Sequence, residues 1–185
     1  ICRKLSQGNQ RVDFISLEKR GRGGALKRAW TESDATVVVY MDVDLSAGLD
    51  ALPQLVRAVA HDGYDIAIGS RLARGAHVIG RSPTREIISR AYNLLVRAMF
   101  RTKLLDLQCG FKALNLQTMR SVLGLVRDDI WFFDSEMLII AEKNGYRIRE
   151  VPVRWTDDPN SSVAIIPTAY GDLKGLLRLR LGGLR

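Results

Sequence analysis

The chain has 185 residues, enough to bury one sizeable core, and its 46% hydrophobic and 26% charged residues place it among ordinary globular proteins, with one domain expected over 1–185. Cys2 and Cys109 have no paired spacing and no histidine cluster nearby, which argues against a disulfide framework or a zinc site and fits a reducing compartment; no run reaches the roughly 18 apolar residues of a membrane span, and no signal-peptide layout opens the chain. With 28 Lys and Arg against 20 Asp and Glu, the net charge of +8 favours a polyanionic partner: nucleic acid, anionic lipid headgroups or phosphorylated small molecules.

Ile1 stands where a start methionine would, so the sequence is expected to be a fragment. The apolar run Val12 to Leu17 predicts a strand, followed by a basic glycine loop over Glu18 to Gly24 and a helix through Trp30. Thr36 to Met41 is β-branched and apolar on both faces, which predicts a central strand of a parallel sheet covered on both sides. Its carboxyl end is where ligands gather in open α/β sheets. Asp50 is placed to cap a helix running to about His61, with Leu52, Leu55, Val56 and Val59 on one face. A strand over Tyr64 to Gly69, a loop over Ser70 to Ser82 and a helix opened by Pro83 follow.

Beyond Leu104 the pattern loosens. Asp106 to Lys112 reads as a loop, Leu116 to Leu125 and Ser135 to Lys143 as helices, and Tyr146 to Trp155 as a half-buried strand whose Pro152 belongs near a sheet edge. Asp157 to Pro167 reads as a polar loop, and Leu173 to Leu184 as a basic, leucine-rich helix. There is no internal repeat and no sign of a second domain.

Asp42 and Asp44, two apart at a strand's end, have the spacing to lean toward one hard cation such as Mg²⁺ or Mn²⁺, although a capped turn uses the same residues. Gly69-Ser70-Arg71 closes the next strand and Arg85 falls in the first turn of the next helix, so two guanidiniums are available to one anion. In Trp131-Phe132-Phe133-Asp134-Ser135-Glu136, Asp134 is placed to cap a helix with Glu136 in its first turn. Asp106, taken alone, marks a turn.

Taken in order, Arg22-Gly23-Gly24-Ala25, Asp42-Val43-Asp44-Leu45-Ser46, Ile68-Gly69-Ser70-Arg71, Asp106-Leu107-Gln108-Cys109-Gly110-Phe111-Lys112, Phe133-Asp134-Ser135-Glu136 and Glu150-Val151-Pro152-Val153-Arg154-Trp155 resemble the polyprenyl-phosphate (dolichyl-phosphate) mannosyl- and glucosyltransferases of glycosyltransferase family 2. The resemblance implies an α/β GT-A (Rossmann-like) fold, a mostly parallel central sheet with helices on both faces, and an inverting hexosyltransferase. It also implies Mg²⁺ or Mn²⁺ as cofactor, a nucleotide-sugar donor of the GDP-mannose or UDP-glucose class, a polyprenyl phosphate acceptor at the cytoplasmic face of a membrane, and no nucleic acid. Asp42 and Asp44, with Ser46, would hold the metal and the donor diphosphate. Arg71 and Arg85 would grip the acceptor phosphate. Asp134 and Glu136 would line the sugar and acceptor side, with Asp44 and Arg71 completing the catalytic set. Arg22, Gly23, Ser70 and Asp106 would complete the substrate contacts.

The chain departs from the family pattern at three places. Ser46 stands where members commonly carry Gln, Ser161-Ser162-Val163 stands where many carry Ser-Lys, and no segment matches the first strand with its Pro-x-Tyr-Asn-Glu ending, so a domain lacking that strand is expected. A soluble phosphorylated acceptor and a non-catalytic relic of the same fold are the competing readings.

Overall fold

The β-branched and apolar runs form the middle of the molecule. In the computed structural model, which describes residues 2–157 and 165–182, β1 (Val37–Met41), β2 (Ile66–Ser70), β4 (Phe111–Asn115) and β5 (Ile148–Pro152) form one sheet in the order β1-β4-β2-β5. β4 is antiparallel to both β1 and β2, and β2 is parallel to β5, so three of the four strands share one direction. A smaller parallel pair, β3 (His77–Ile79) with β6 (Arg154–Thr156), lies beyond the ends of β2 and β5. The single strand expected over Tyr146 to Trp155 is divided between the two sheets at Val153, whose N–H donates to Ser70 O (3.3 Å) and whose carbonyl accepts from His77 N (3.0 Å). Pro152 ends the edge strand β5, where its missing N–H costs no ladder bond.

Alternation across the pleat sorts the core into two layers. Tyr40, Ile66, Ile68 and Leu114 face the larger one, built with α2 (Arg22–Thr31), α4 (Pro83–Phe100), α5 (Leu116–Leu123), α6 (Phe133–Lys143) and α7 (Ile165–Gly182). Ala67, Phe111, Ala113 and Val151 face Leu55, Ala58 and Val59 of α3 (Leu52–Ala60) on the other side. Pro83 opens α4, as the sequence predicts, and Ser82 caps it by accepting from Arg85 N (3.3 Å). Asn115 does the same for α5. Gly175 of α7 lies directly against the Phe132 ring, where a Cβ would have no room.

Several expectations are corrected, first that for Thr36 to Met41: among the described residues β1 is an edge strand that pairs antiparallel with β4 and is only half-buried, not a central strand of a parallel sheet covered on both sides. Val12 to Leu17 forms no strand, and its apolar residues are 37–46% exposed. A strand needs a partner for its N–H and C=O groups, and none lies beside this segment among the described residues. Gly23 and Gly24 of the expected loop belong instead to the first turn of α2, with Gly21 just before it, and Gly23 lets that turn approach the Phe133 ring. A helix not foreseen, α1 (Cys2–Gly8), buries no residue. Asp50 sits in a 3₁₀ turn (Leu49–Ala51) and pairs with Arg154 (3.3 Å) instead of capping α3.

The loop expected over Asp106 to Lys112 ends instead in β4, which takes in Phe111 and Lys112; both faces of β4 are buried, so it shows no polar alternation, and Lys112 interrupts its apolar run. Asp134 lies inside α6 and makes no cap, because its carboxylate is engaged elsewhere. α7 begins at Ile165, earlier than expected, with Pro167 tolerated in its first turn. The Ser161-Ser162-Val163 departure lies outside the described residues. No described helix is long and apolar enough to cross a membrane.

Candidate active site

A cavity of about 270 Å³ opens at the carboxyl ends of β1 and β2, walled by the start of α4 and one face of α7. One end is acidic. The chain leaves β1 through Asp42, whose N–H donates to Gly110 O (2.8 Å) and whose carboxylate lies against Gly110 so closely that a side chain there would collide. The turn closes through Leu45 in the left-handed region (φ 54°), a conformation that costs a non-glycine residue about 1–3 kcal/mol and concentrates at functional sites. Ser46 N donates to Asp44 Oδ1 (3.0 Å), which fixes that carboxylate beside the buried Ser46. Asp42, Asp44 and Ser46 all line the cavity.

These three supply oxygen only, the chemistry that Mg²⁺ and Mn²⁺ prefer. No group of three His, Cys, Asp or Glu converges among the described residues, so a cation here would take its remaining ligands from water and phosphate. The donor set fits such an ion.

Behind the acidic end lies a buried charge network. Arg22 pairs with Asp42 (Nη1 to Oδ1, 3.0 Å) and with Asp134, while its guanidinium sits 4.9 Å from the Trp131 ring. Asp134 also accepts from the Tyr40 hydroxyl and pairs with Lys112 Nζ (2.9 Å); Lys112 donates further to Tyr40 Oη (3.0 Å) and to the Cys109 carbonyl. Lys112 and Asp134 are fully buried. Burial opposes ionisation of Asp134, but the Lys112 and Arg22 cations outweigh it and hold the carboxyl below the usual range. Burial likewise opposes the charge of Arg22, and Asp134, Tyr40 and Asp42 together keep it protonated well above the usual arginine range.

The opposite wall is basic. Arg71 is held by Asp106 through Nε (2.7 Å) and Nη2 (2.8 Å), with its own N–H donating to the same carboxylate (3.0 Å), and it stacks 4.9 Å from the Trp155 ring. Burial pushes the Asp106 carboxyl up, but the bidentate arginine brings it down to about 2. Arg85 lines the same wall. So does Arg81, whose side chain is only 9% exposed. Its Nε and Nη1 have no hydrogen-bond partner among the described residues, with Glu86 at 3.4 Å and Asp157 at 3.8 Å. Burial and the neighbouring Arg71 both lower its pKa. Three guanidiniums on one wall, one of them buried and unsatisfied, make a seat for an anion.

Of the residues singled out from sequence, Arg22, Asp42, Asp44, Ser46, Arg71 and Arg85 come together around the cavity. Gly23, Ser70, Asp106, Asp134 and Glu136 lie behind its wall. Ser70 Oγ accepts from Ala73 N (3.1 Å) at the end of β2. Glu136 accepts from Arg127 N (3.1 Å), Asp128 N (2.8 Å) and Arg178 Nη2 (2.9 Å), so it ties the turn before α6 to α7. Sequence reading missed Arg81 and Lys112. Arg81 had no signal beyond its place just before the cap Ser82, whereas a lysine inside an apolar run is a visible, if ambiguous, sign of an internal charge.

Glycosyl transferase family 2 matches the sequence over residues 1–122. The chain belongs to that family. Among curated members it is 37% identical to the glycosyltransferase AglD of Haloferax volcanii, over 96% of this chain and 28% of that protein. It is 27% identical to the dolichyl-phosphate β-glucosyltransferase of Dictyostelium discoideum, over 94% of this chain and 55% of that one. The chain thus spans between about a quarter and just over half of these family 2 relatives. Its fold is GT-A-like. Glucosyl-3-phosphoglycerate synthase from Mycobacterium tuberculosis, solved with Mn²⁺ and UDP-glucose, superposes with a TM-score of 0.68 at 17% identity, over 97% of this chain and 63% of that one.

Proposed function

We propose that the chain forms the nucleotide-sugar domain of an inverting family 2 hexosyltransferase that moves glucose or mannose from a UDP-glucose or GDP-mannose class donor to a polyprenyl phosphate at the cytoplasmic face of a membrane. The observation that carries this reading is the polarity of one cavity, with an oxygen-only acidic end facing a wall of arginines. Asp42, Asp44 and Ser46 would hold Mg²⁺ or Mn²⁺, which when bound neutralises the leaving diphosphate. Arg22, fixed by Asp42 and Asp134, adds a positive charge next to that end. Arg71, Arg81 and Arg85 hold the acceptor phosphate near the donor and offset the repulsion between the two anions. The acceptor phosphate is largely ionised near neutral pH, so its oxygen attacks the anomeric carbon without a strong general base, and attack opposite the leaving group inverts configuration. Asp134 and Glu136 serve this chemistry by orienting Arg22 and by bracing α7.

A lipid acceptor is supported by the surface beside the cavity. Tyr170, Leu173, Leu177 and Leu181 of α7 form an outward stripe at helical spacing, 45–84% exposed, and Ile87 and Leu94 of α4 are 66–67% exposed. Exposed Arg90, Arg97, Lys174 and Arg180 are interspersed with them, the composition of a face that meets anionic headgroups. A soluble phosphorylated acceptor is favoured instead by the arginine wall alone, which needs no lipid.

The test is sugar transfer from UDP-glucose and GDP-mannose to a short polyprenyl phosphate and to 3-phosphoglycerate, with and without Mn²⁺. Transfer to the lipid that requires Mn²⁺ and is lost in Asp44→Ala is expected. Transfer to 3-phosphoglycerate alone would replace the lipid reading, and undiminished transfer by Asp44→Ala would sink the metal role.

A further inference from the structure

α7 carries a second polar feature into the cavity that none of the roles above uses. Asp172 is 3% exposed and lies in the cavity wall one turn beyond Thr168 and Ala169, which share that wall. Gln108, in the loop before β4, donates from Nε2 to Asp172 Oδ2 (2.7 Å). Oδ1 has no hydrogen-bond partner among the described residues. The neighbouring Tyr92 hydroxyl is not available to it, because it donates to Ser135 Oγ (2.7 Å). A buried carboxylate with one oxygen unsatisfied is costly, and a native fold keeps few such atoms without a use.

The chemistry of the cavity narrows what completes this group. A carboxylate only accepts, so the missing partner is a donor. An ammonium is disfavoured by Arg22, Arg71, Arg81 and Arg85, which line the same cavity, and a phosphate by the carboxylate itself. A neutral hydroxyl remains. We propose that Asp172, oriented by Gln108, is a sugar-hydroxyl subsite that accepts a hydrogen bond from the hexose of the donor. The proposal rests on the sugar-transfer reading above and adds a residue to it. Burial, with Asp128 and Asp134 nearby, raises the Asp172 carboxyl to about 6, so at neutral pH it is still the ionised acceptor the subsite requires.

The experiment compares affinities by calorimetry in Mn²⁺ for UDP-glucose and UDP, and for GDP-mannose and GDP, with wild type, Asp172→Ala and Asp172→Asn. The expected result is that Asp172→Ala weakens the nucleotide-sugar about tenfold, the scale of one hydrogen bond to a charged group, and leaves the bare nucleotide within twofold. Deoxy-sugar donors locate the partner: the analogue lacking the bound hydroxyl should lose affinity for wild type and not for Asp172→Ala.

Both variants should melt no lower than wild type, because they remove a buried charge that the fold leaves half-satisfied. A lower melting temperature would mark a structural role and overturn the proposal. Unchanged nucleotide-sugar affinity in Asp172→Ala overturns it as well, as does an equal loss for sugar-bearing and bare nucleotides. Wild type that binds neither nucleotide-sugar nor nucleotide overturns the sugar-transfer reading and this subsite with it, whereas wild type that binds both while Asp172→Ala is indifferent overturns the subsite alone.

Discussion

Two sets of buried charges lie within one small region, and they are built on opposite plans. Around Asp134 every charge has a counter-charge: Arg22, Lys112 and the Tyr40 hydroxyl converge on one carboxylate, and Arg22 also reaches Asp42. Arg71 and Asp106 repeat the plan as a bidentate pair. At Arg81 and Asp172 the hydrogen bonding is left incomplete: Arg81 has carboxylates at 3.4 and 3.8 Å but no hydrogen bond at Nε and Nη1, and Asp172 Oδ1 has no partner among the described residues. The first set fixes where the wall of the cavity stands. The second has capacity left over for what enters it.

The largest effect should come from breaking a closed set. Lys112→Met leaves the Asp134 carboxylate buried beside fewer cations, and removing one partner of a buried pair costs about 3–5 kcal/mol. Chemical denaturation should show a loss of that size. A loss below about 1 kcal/mol would mean that the network is already reached by water. The pH dependence of stability separates the two plans by sign. The Asp106 carboxyl is held at about 2 against an ordinary 3.8, so the stability it contributes is full above about pH 4 and is lost as pH falls toward 2, on the order of 2 kcal/mol.

Asp172 behaves oppositely. Its carboxyl is raised to about 6, so the folded state takes up its proton first and gains stability as pH falls from about 6 toward 4. Asp172→Asn should abolish that gain, and Asp106→Asn the later loss, in melts across the range. The smallest effect on stability should follow Arg81→Gln, which removes a charge with no hydrogen bonds at Nε and Nη1. Its melting point should hold or rise, while KM for the phosphorylated acceptor increases about tenfold and that for the donor does not, the pattern of a lost charge-assisted contact. A fall in stability with unchanged KM would move Arg81 into the closed set.

The difference between the two sets also explains what could be read in advance. Short-range signals were legible: Ser82-Pro83 opens α4, the run ending at Met41 is a strand, Pro152 is at an edge, and Asp42, Asp44, Arg71 and Arg85 reach one cavity. The first three follow from backbone chemistry acting over a few residues, and the shared cavity from strand-end placement and the ordered family motifs. Partners distant in sequence were not legible. Lys112 marks an internal charge only ambiguously until Tyr40 and Asp134 are placed beside it, and by interrupting the apolar run it costs β4 its look of a strand. Asp134 looked like a cap for the same reason. Val12 to Leu17 failed the other way, with a local pattern that calls for a strand and no neighbour to form a ladder with.

The seat of Gly175 on the Phe132 ring has a mechanical consequence. It fixes the rotation of α7 about its own axis, so Asp172, Leu176 and Leu179 point inward whenever Tyr170, Leu173, Leu177 and Leu181 point outward. One helix therefore carries a carboxylate on its inner side and an apolar stripe on its outer side, in a fixed angular relation. A surface that meets the stripe and a ligand that enters the cavity therefore meet opposite faces of the same helix.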